Sequence, residues 1–357
     1  AALLLAIGCL GIARAEELAD GSGRLLRRQL IFSVAAVMAA VLAAVPHYRA
    51  VGRYSYALYV GVLGLLGVVF LFPPVNFAHR WIWLGPISVQ PSEFAKVAVI
   101  LALARYIMHR DSHRRPLGLL TPLAIALVPI GLILPEPDLG TSMVFVPVLL
   151  AMLYVAGARW RDLLGIVMIG LLLAPVLWSQ MSREQRSRVT ALFDQPSATD
   201  RPGDDSYHLY QAYRVRALGG AWGSWVTGQA TDDLAVYRLP HAHSDFIFAV
   251  LGERFGLPGM ALVLILYTML VACILAVAAA TREPFGRLAA AGVAALFAVE
   301  TLINTGMTVG LLPITGLSLP LVSSGGSGLV AHAAALGLVV NIAMRPGYEV
   351  APEPFRY

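Results

Sequence analysis

An aspartate stands where the longest polar stretch of the chain meets an apolar one, in His241-Ala242-His243-Ser244-Asp245-Phe246-Ile247-Phe248-Ala249. A carboxylate at the water edge of a bilayer can exchange a proton, and keeping it there is costly. Insertion scales put an ionised group at a helix centre at roughly 2.5–3.5 kcal/mol, so one retained at such a boundary points to a functional site. Asp and Ser are also good helix N-caps, and a cap at Ser244 or Asp245 accounts for the same pair without chemistry.

Four further constellations carry polar groups near apolar boundaries. In His79-Arg80-Trp81-Ile82-Trp83-Leu84-Gly85-Pro86 an arginine is flanked by tryptophans. Arg80 suits a phosphate, while an aromatic belt alone explains Trp81 and Trp83. Gln90-Pro91-Ser92-Glu93-Phe94-Ala95-Lys96 reads as a helix start with proline in the first turn, and it sets Glu93 and Lys96 three apart on one face, as an internal salt bridge would. Pro135-Glu136-Pro137-Asp138-Leu139-Gly140-Thr141 places two carboxylates in a proline-rich turn, where Asp138 can equally cap a helix. The run Gly316 to Gly328 contains Pro320, Ser323, Ser324, Gly325, Gly326 and Ser327. Its small residues allow close backbone approach and offer donors, or else tight helix packing.

The elements that must position these groups follow from composition. Of 357 residues 58% are hydrophobic and only 13% charged, half the charged share of ordinary soluble domains, so the chain is an all-α polytopic membrane protein. Apolar runs near 1–14, 29–46, 54–72, 92–108, 116–135, 139–157, 161–178, 246–280, 285–309 and 318–344 predict about ten transmembrane helices in one domain over 1–357. The first run begins at Ala1 and is short for a span, so a natural start upstream is expected. The run 246–280 is too long for one straight span, and Gly256, Pro258 and Gly259 predict a break in it.

Arg49 with Arg53, Arg110 with Arg114 and Arg115, Arg159 with Arg161, Arg282 with Arg287, and Arg345 fall in alternate loops. The positive-inside rule puts those loops and the C-terminus in the cytoplasm, with Arg24, Arg27 and Arg28 dissenting. The same rule explains the net charge of +5, and no nucleic-acid partner is expected. Asp245, Arg80 and Asp138 then face outward. So does 180–245, one large extracytoplasmic loop whose arginines and acids nearly balance and whose Tyr207, Tyr210, Tyr213, Trp222 and Trp225 favour an ordered lid or platform.

Cys9 and Cys273 lie in apolar runs and offer neither a disulfide framework nor metal spacing. His241 and His243 are two apart with no cluster to join, so no resident metal site is expected. Walker, dinucleotide and nucleophile-elbow patterns are missing, which leaves an already energised substrate or a gradient as the driving force. The lack of a trusted internal repeat counts against inverted-repeat transporters.

Taken in order, the motifs resemble the SEDS family (shape, elongation, division and sporulation) of membrane peptidoglycan glycosyltransferases. The resemblance rests on Arg80-Trp81 with Leu84-Gly85-Pro86, Gln90 to Lys96, Glu136 to Thr141, Leu239-Pro240 with Ala242 to Ala249, and Asn304-Thr305-Gly306-Met307 through Pro313, Gly316 and Pro320 into Gly325-Gly326-Ser327. It spans nearly the whole chain. Gly306-Met307 and the compact termini look more like the RodA (elongation) branch than the FtsW (division) branch. The chain departs from the family pattern at His241, Arg254, Glu300, Ser324, Gly328 and in Tyr207-His208 with Gln211-Ala212; in particular Glu300 stands where the family usually has Gln, with no partner visible in the sequence.

The resemblance implies an enzyme of the bacterial inner membrane that polymerises lipid II on its extracytoplasmic side. The GlcNAc 4-hydroxyl of lipid II would attack the anomeric carbon of a strand still attached to undecaprenyl diphosphate. Converting an α-linked diphosphate to a β-1,4 bond inverts that carbon and needs one base, here Asp245. Arg80 and Lys96, with Arg214 or Arg216 of the large loop, are the expected stabilisers of the leaving diphosphate. Glu93 orients Lys96, and Trp81, Ser323 and Ser327 complete the expected substrate contacts. A divalent cation, Mg or Mn, held by Glu136 or Asp138, is left open. A class B penicillin-binding protein is the expected partner. A lipid II flippase and a non-catalytic scaffold of the cell-wall complex are the alternatives.

Overall fold

The computed structural model describes residues 1–19, 21–74, 78–85, 87–110, 116–136, 138–193, 205–231 and 233–345. Pro86, Arg114, Arg115, Pro137 and the middle of the 180–245 segment lie outside the described residues. Each expected apolar run contains a helix. These are α1 (Ala2–Ala19), α2 (Arg24–Ala44), α3 (Tyr48–Val68), α4 (Pro91–Ile107), α5 (Leu120–Ile133), α6 (Leu139–Val155) and α7 (Trp160–Gln180), followed later in the chain by α11 (Ile247–Ala280), α12 (Pro284–Thr308) and α13 (Gly326–Met344). Six of them, α2, α3 with the turn that extends it, α7, α11, α12 and α13, are long and apolar enough to cross a membrane. Between α7 and α11 lie α8 (Arg183–Thr190), α9 (Asp205–Gly219) and the single turn α10 (Ser224–Thr227).

Local chemistry sets the ends. Pro91 and Pro284 open α4 and α12, where the missing N–H is no loss. Ser182 and Gln185 form a reciprocal capping box at α8. The expected break in α11 is present at Gly256, whose φ of 63° and ψ of −157° are not helical. Gly223, itself at φ 83°, packs its backbone against Arg254 and Gly256 there.

Two expectations are corrected. The chain is not wholly α: Ile82–Leu84 (β1) and Ile87–Val89 (β2) pair antiparallel, because β-branched and aromatic residues flank Gly85, whose φ of 66° suits a tight turn. The last apolar run does not start a helix near 318. Residues 318–325 are irregular, since Pro320 and the glycines at 316 and 325 break the helical ladder, and α13 begins only at Gly326.

The centre of the bundle is α12, whose membrane-spanning stretch is mostly buried and which packs on α11, α6 and α4. The other central helix, α13, lies against α2 and α4, whereas α7 buries no residue and presents its apolar surface outward. Helix α9 docks on α11 through Leu209, Ala212 and Val215, which join Leu239, Phe246, Val250 and Ile314 in a small second core. Among the described residues, α8, α9 and α10 make the segment before Asp245 partly helical.

A buried charge pair ties the first helix to the kinked one. The Arg14 guanidinium donates Nε to Glu253 Oε2 at 3.0 Å and Nη2 to Glu253 Oε1 at 2.8 Å, both side chains being enclosed. Removing one partner strands the other charge, so Arg14→Ala is expected to lower unfolding free energy by roughly 3–5 kcal/mol, read as a lower thermal midpoint in detergent. A shift no larger than that of an exposed arginine variant would contradict the assignment.

Candidate active site

Asp245 ends a turn in which the amides of Ser244, Asp245 and Phe246 all donate to the His241 carbonyl, with His241 at φ 54°. Three further bonds clamp that turn. Asn304 of α12 donates Nδ2 to the Asp245 carbonyl at 2.9 Å and to the Leu317 carbonyl at 2.7 Å. Ser323 donates to the Ser244 carbonyl at 2.5 Å, and the Ser324 amide to the His243 carbonyl at 2.9 Å. The backbone is fixed while the carboxylate is left for other work: the N-cap of α11 is Phe246, with no side-chain cap bond, so Asp245 does not cap its helix.

The half-buried carboxyl of Asp245 is pushed above the ordinary aspartate range by burial, opposed by His241, by a bond with the Ser244 side chain and then by the guanidiniums of Arg188 and Arg80. Arg80 is anchored by a 2.9 Å bond from its Nε to the Glu136 carbonyl. Gly316, at φ 73°, marks the gap between acid and base: a Cβ there would stand 3.6 Å from both Arg188 Nη1 and Asp245 Oδ2. One carboxylate with two arginines in its field can accept a proton and meet a developing anion within one small region.

The structure distributes the other expected residues differently. Lys96 is enclosed, its ammonium bound to Glu93 Oε1 at 2.8 Å and to Glu300, so it stays within the bundle and is not presented to a diphosphate. Glu93 does orient Lys96. Asp138 caps α6, accepting from the Thr141 amide at 3.2 Å, from Thr141 Oγ1 at 2.9 Å and from Gln90 Nε2 at 3.4 Å. Ser323 and Ser327 spend their hydroxyls on backbone; Ser327 accepts from the Gln90 amide at 3.0 Å and donates to the Ser88 carbonyl at 3.3 Å. Arg214 is exposed on α9, while Arg216 lies 5.4 Å over the Tyr213 ring. Trp81 is half-buried beside Arg80. Arg188, which no single motif distinguished, is the loop arginine that reaches Asp245, delivered by the capped helix α8.

Glu136 is fully buried, and neither carboxylate oxygen has a hydrogen-bond partner among the described residues. Burial, then the nearby Asp138 charge, push it to about 8, against the pull of Arg80. The folded protein therefore binds a proton here that the unfolded chain releases near its ordinary value of 4.5. Stability must fall as pH rises across that window. Glu136→Gln is expected to match wild type in thermal midpoint near about pH 5 and to exceed it above about pH 8. An unchanged difference across that range would exclude the buried proton.

Of the two carboxylates expected to share a divalent cation, Asp138 caps α6 and Glu136 is enclosed. Metal-ligand types do gather elsewhere, as Glu93, Glu300 and His332, with one ligand atom from each inside a 4.8 Å span. The Lys96 ammonium already bridges two of them and supplies the positive charge.

Comparison with known proteins places the fold. The family described as "Cell cycle protein", that of FtsW, RodA and SpoVE, matches residues 2–347. The peptidoglycan glycosyltransferase MrdB of Escherichia coli K12 is 38% identical over 312 residues, 86% of this chain and 82% of the relative. A probable peptidoglycan glycosyltransferase FtsW of Trichlorobacter lovleyi is 32% identical over 344 residues, 95% of this chain and 87% of the relative. Among solved structures, a chain of a peptidoglycan synthase complex that coordinates polymerisation and crosslinking superposes with a TM-score of 0.81 at 31% identity, covering 96% of each chain. The rod shape determining protein RodA of Thermus thermophilus gives 0.71 at 28% identity, over 96% of this chain and 94% of that one.

Proposed function

The chain belongs to the FtsW, RodA and SpoVE family of cell cycle proteins, and from that premise we propose that it polymerises lipid II into β-1,4 glycan strands by an inverting reaction at Asp245. It is a multi-pass membrane enzyme of the peptidoglycan glycosyltransferase type. The observation that carries the proposed mechanism is the Asp245 carboxylate, clamped through its backbone, free of any capping duty, facing Arg188 across Gly316 and lying in the field of Arg80.

Asp245 takes the proton of the acceptor 4-hydroxyl as that oxygen attacks the anomeric carbon of the strand. The new C–O bond forms on the face opposite the diphosphate, and the bond to the diphosphate oxygen breaks with its electron pair. Arg188 and Arg80 meet the charge that develops on the leaving group. Burial raises the proton affinity of Asp245, which strengthens it as a base once ionised. Each step uses one carboxylate, as inversion by a single displacement requires.

The arginine pattern of the loops supports an outward-facing site. Arg49 and Glu283 pair at 3.4 Å, and Arg345 reaches the carbonyls of Val45 and Pro46, at the end of the bundle remote from Asp245. With that end cytoplasmic, Asp245 meets the leaflet where lipid-linked disaccharide is exposed. The likeness to a rod shape determining protein favours elongation, and the likeness to a chain of a synthase complex favours a partner that crosslinks, of the class B penicillin-binding type.

The test is glycan-strand synthesis from purified lipid II by the wild-type protein, alone and with its cognate penicillin-binding protein. Polymer establishes the reading. Transport of lipid II across vesicles without polymer would put the flippase in its place, and neither activity would leave the scaffold.

A further inference from the structure

Glu300 had no visible partner in the sequence, and the fold supplies two. On α12, Glu300 is fully buried, with Oε1 taken by Lys96 of α4 and Oε2 facing His332 Nε2 of α13. His332 is itself enclosed, and its other nitrogen, Nδ1, lies 2.6 Å from the Gly328 carbonyl. A neutral imidazole has one N–H and one acceptor nitrogen. Here both nitrogens face oxygens that accept, a carbonyl on one side and a carboxylate on the other. Two hydrogen bonds can form only if the pair holds one proton more than a neutral histidine and an ionised glutamate.

That proton decides the charge of the cluster. Glu93 and Lys96 balance each other, and Glu300 with His332 balance only when the shared proton is present. Without it a net negative charge is left among apolar helices, where an unpaired charge is costly. The groups that face the pair are Glu93 and Lys96 from α4 and Tyr267 from α11, whose hydroxyl donates to the Pro320 carbonyl.

The cluster also stands directly behind the reactive turn. Asn304, one helical turn beyond Glu300 on α12, holds the carbonyls of Asp245 and Leu317. Ser327, at the start of α13, holds the Gln90 amide at the head of α4. We propose that Glu300 and His332 are a proton-sharing pair that keeps this four-residue cluster neutral and thereby positions Asp245. Neither residue touches substrate; both are positioning residues. The inference rests on the polymerase reading for its activity readout and on the fold alone for its stability readout.

A four-protein cycle tests it: wild type, His332→Gln, Glu300→Gln and the double variant, each assayed for polymer from lipid II and for thermal midpoint in detergent. His332→Gln strips the shared proton but keeps the carboxylate, so kcat is expected to fall about tenfold or more with KM nearly unchanged, and the midpoint to drop. Glu300→Gln leaves a neutral histidine and a smaller loss. The double variant is neutral again and is expected to recover to within about threefold of wild-type kcat, with its midpoint restored. A double variant no better than His332→Gln, in rate and in midpoint, overturns the proposal, as does a His332→Gln protein indistinguishable from wild type. If His332→Gln fails to fold, recovery of a folded double variant supports charge balance and its failure refutes it. A wild type that makes no polymer sinks the polymerase reading, while the midpoints still decide the pair.

Discussion

Asp245→Asn is expected to lower kcat for glycan polymerisation by on the order of 10²–10⁴-fold, the contribution of a positioned general base, while the protein stays folded. Stability should hold because the side chain bonds to the adjacent Ser244 and caps no helix: Phe246, not Asp245, is the N-cap of α11, and the turn is fixed by the carbonyls of Ser244 and Asp245 and the amides donating to His241. Asparagine preserves the volume and those backbone bonds but cannot take a proton from the 4-hydroxyl. Polymer length on gels and a thermal midpoint from the same preparation give the two readouts. Since burial lifts the Asp245 carboxyl, the acid limb of the wild-type rate should lie above the ordinary aspartate range, because the protonated form accepts nothing. Polymer from Asp245→Asn within about threefold of wild type would refute the base and favour a purely structural turn.

How far the sequence announced this site depends on the kind of signal each residue leaves. Asp245 and Arg80 were legible because a charge at the border of an apolar run stands out, and the order of the motifs identified the family. The helices of the bundle were legible for the same reason, as was the break in α11, where Gly256 and Pro258 punctuate an overlong run. Lys96 was half legible. Its partner Glu93 lies one turn away on the same face, but Glu300 and His332 are brought to it only by the packing of α4, α12 and α13. Residues 318–325 misled because an apolar run buried as irregular chain has the composition of a buried helix; bonds that satisfy its backbone, from Tyr267 to the Pro320 carbonyl and from the Ser324 amide to the His243 carbonyl, are tertiary. Arg188 was hidden for another reason. It is one of several arginines in a balanced polar segment, and only the docking of α8 singles it out.

Arg188→Ala is therefore the second large effect expected, a fall in kcat of roughly 10²–10³-fold, the range for removing one preorganised donor from a developing anion. KM should move less, since the charge being met is greatest at bond cleavage. Arg188→Lys should restore part of the loss: a lysine returns the positive charge but not the planar fork that can grip two phosphate oxygens together. The neighbour sharpens the expectation. Arg80 is fixed by its bond to the Glu136 carbonyl, on the short turn between α5 and α6, whereas Arg188 rides on α8, an element outside the main bundle. Two cations carried by independent elements can meet a diphosphate from different directions, and Gly316 keeps the space between Arg188 and Asp245 clear. If Arg188→Ala leaves kcat intact and raises only KM, its guanidinium binds the resting lipid and does not meet the departing charge, and the leaving-group role would pass to Arg80 alone.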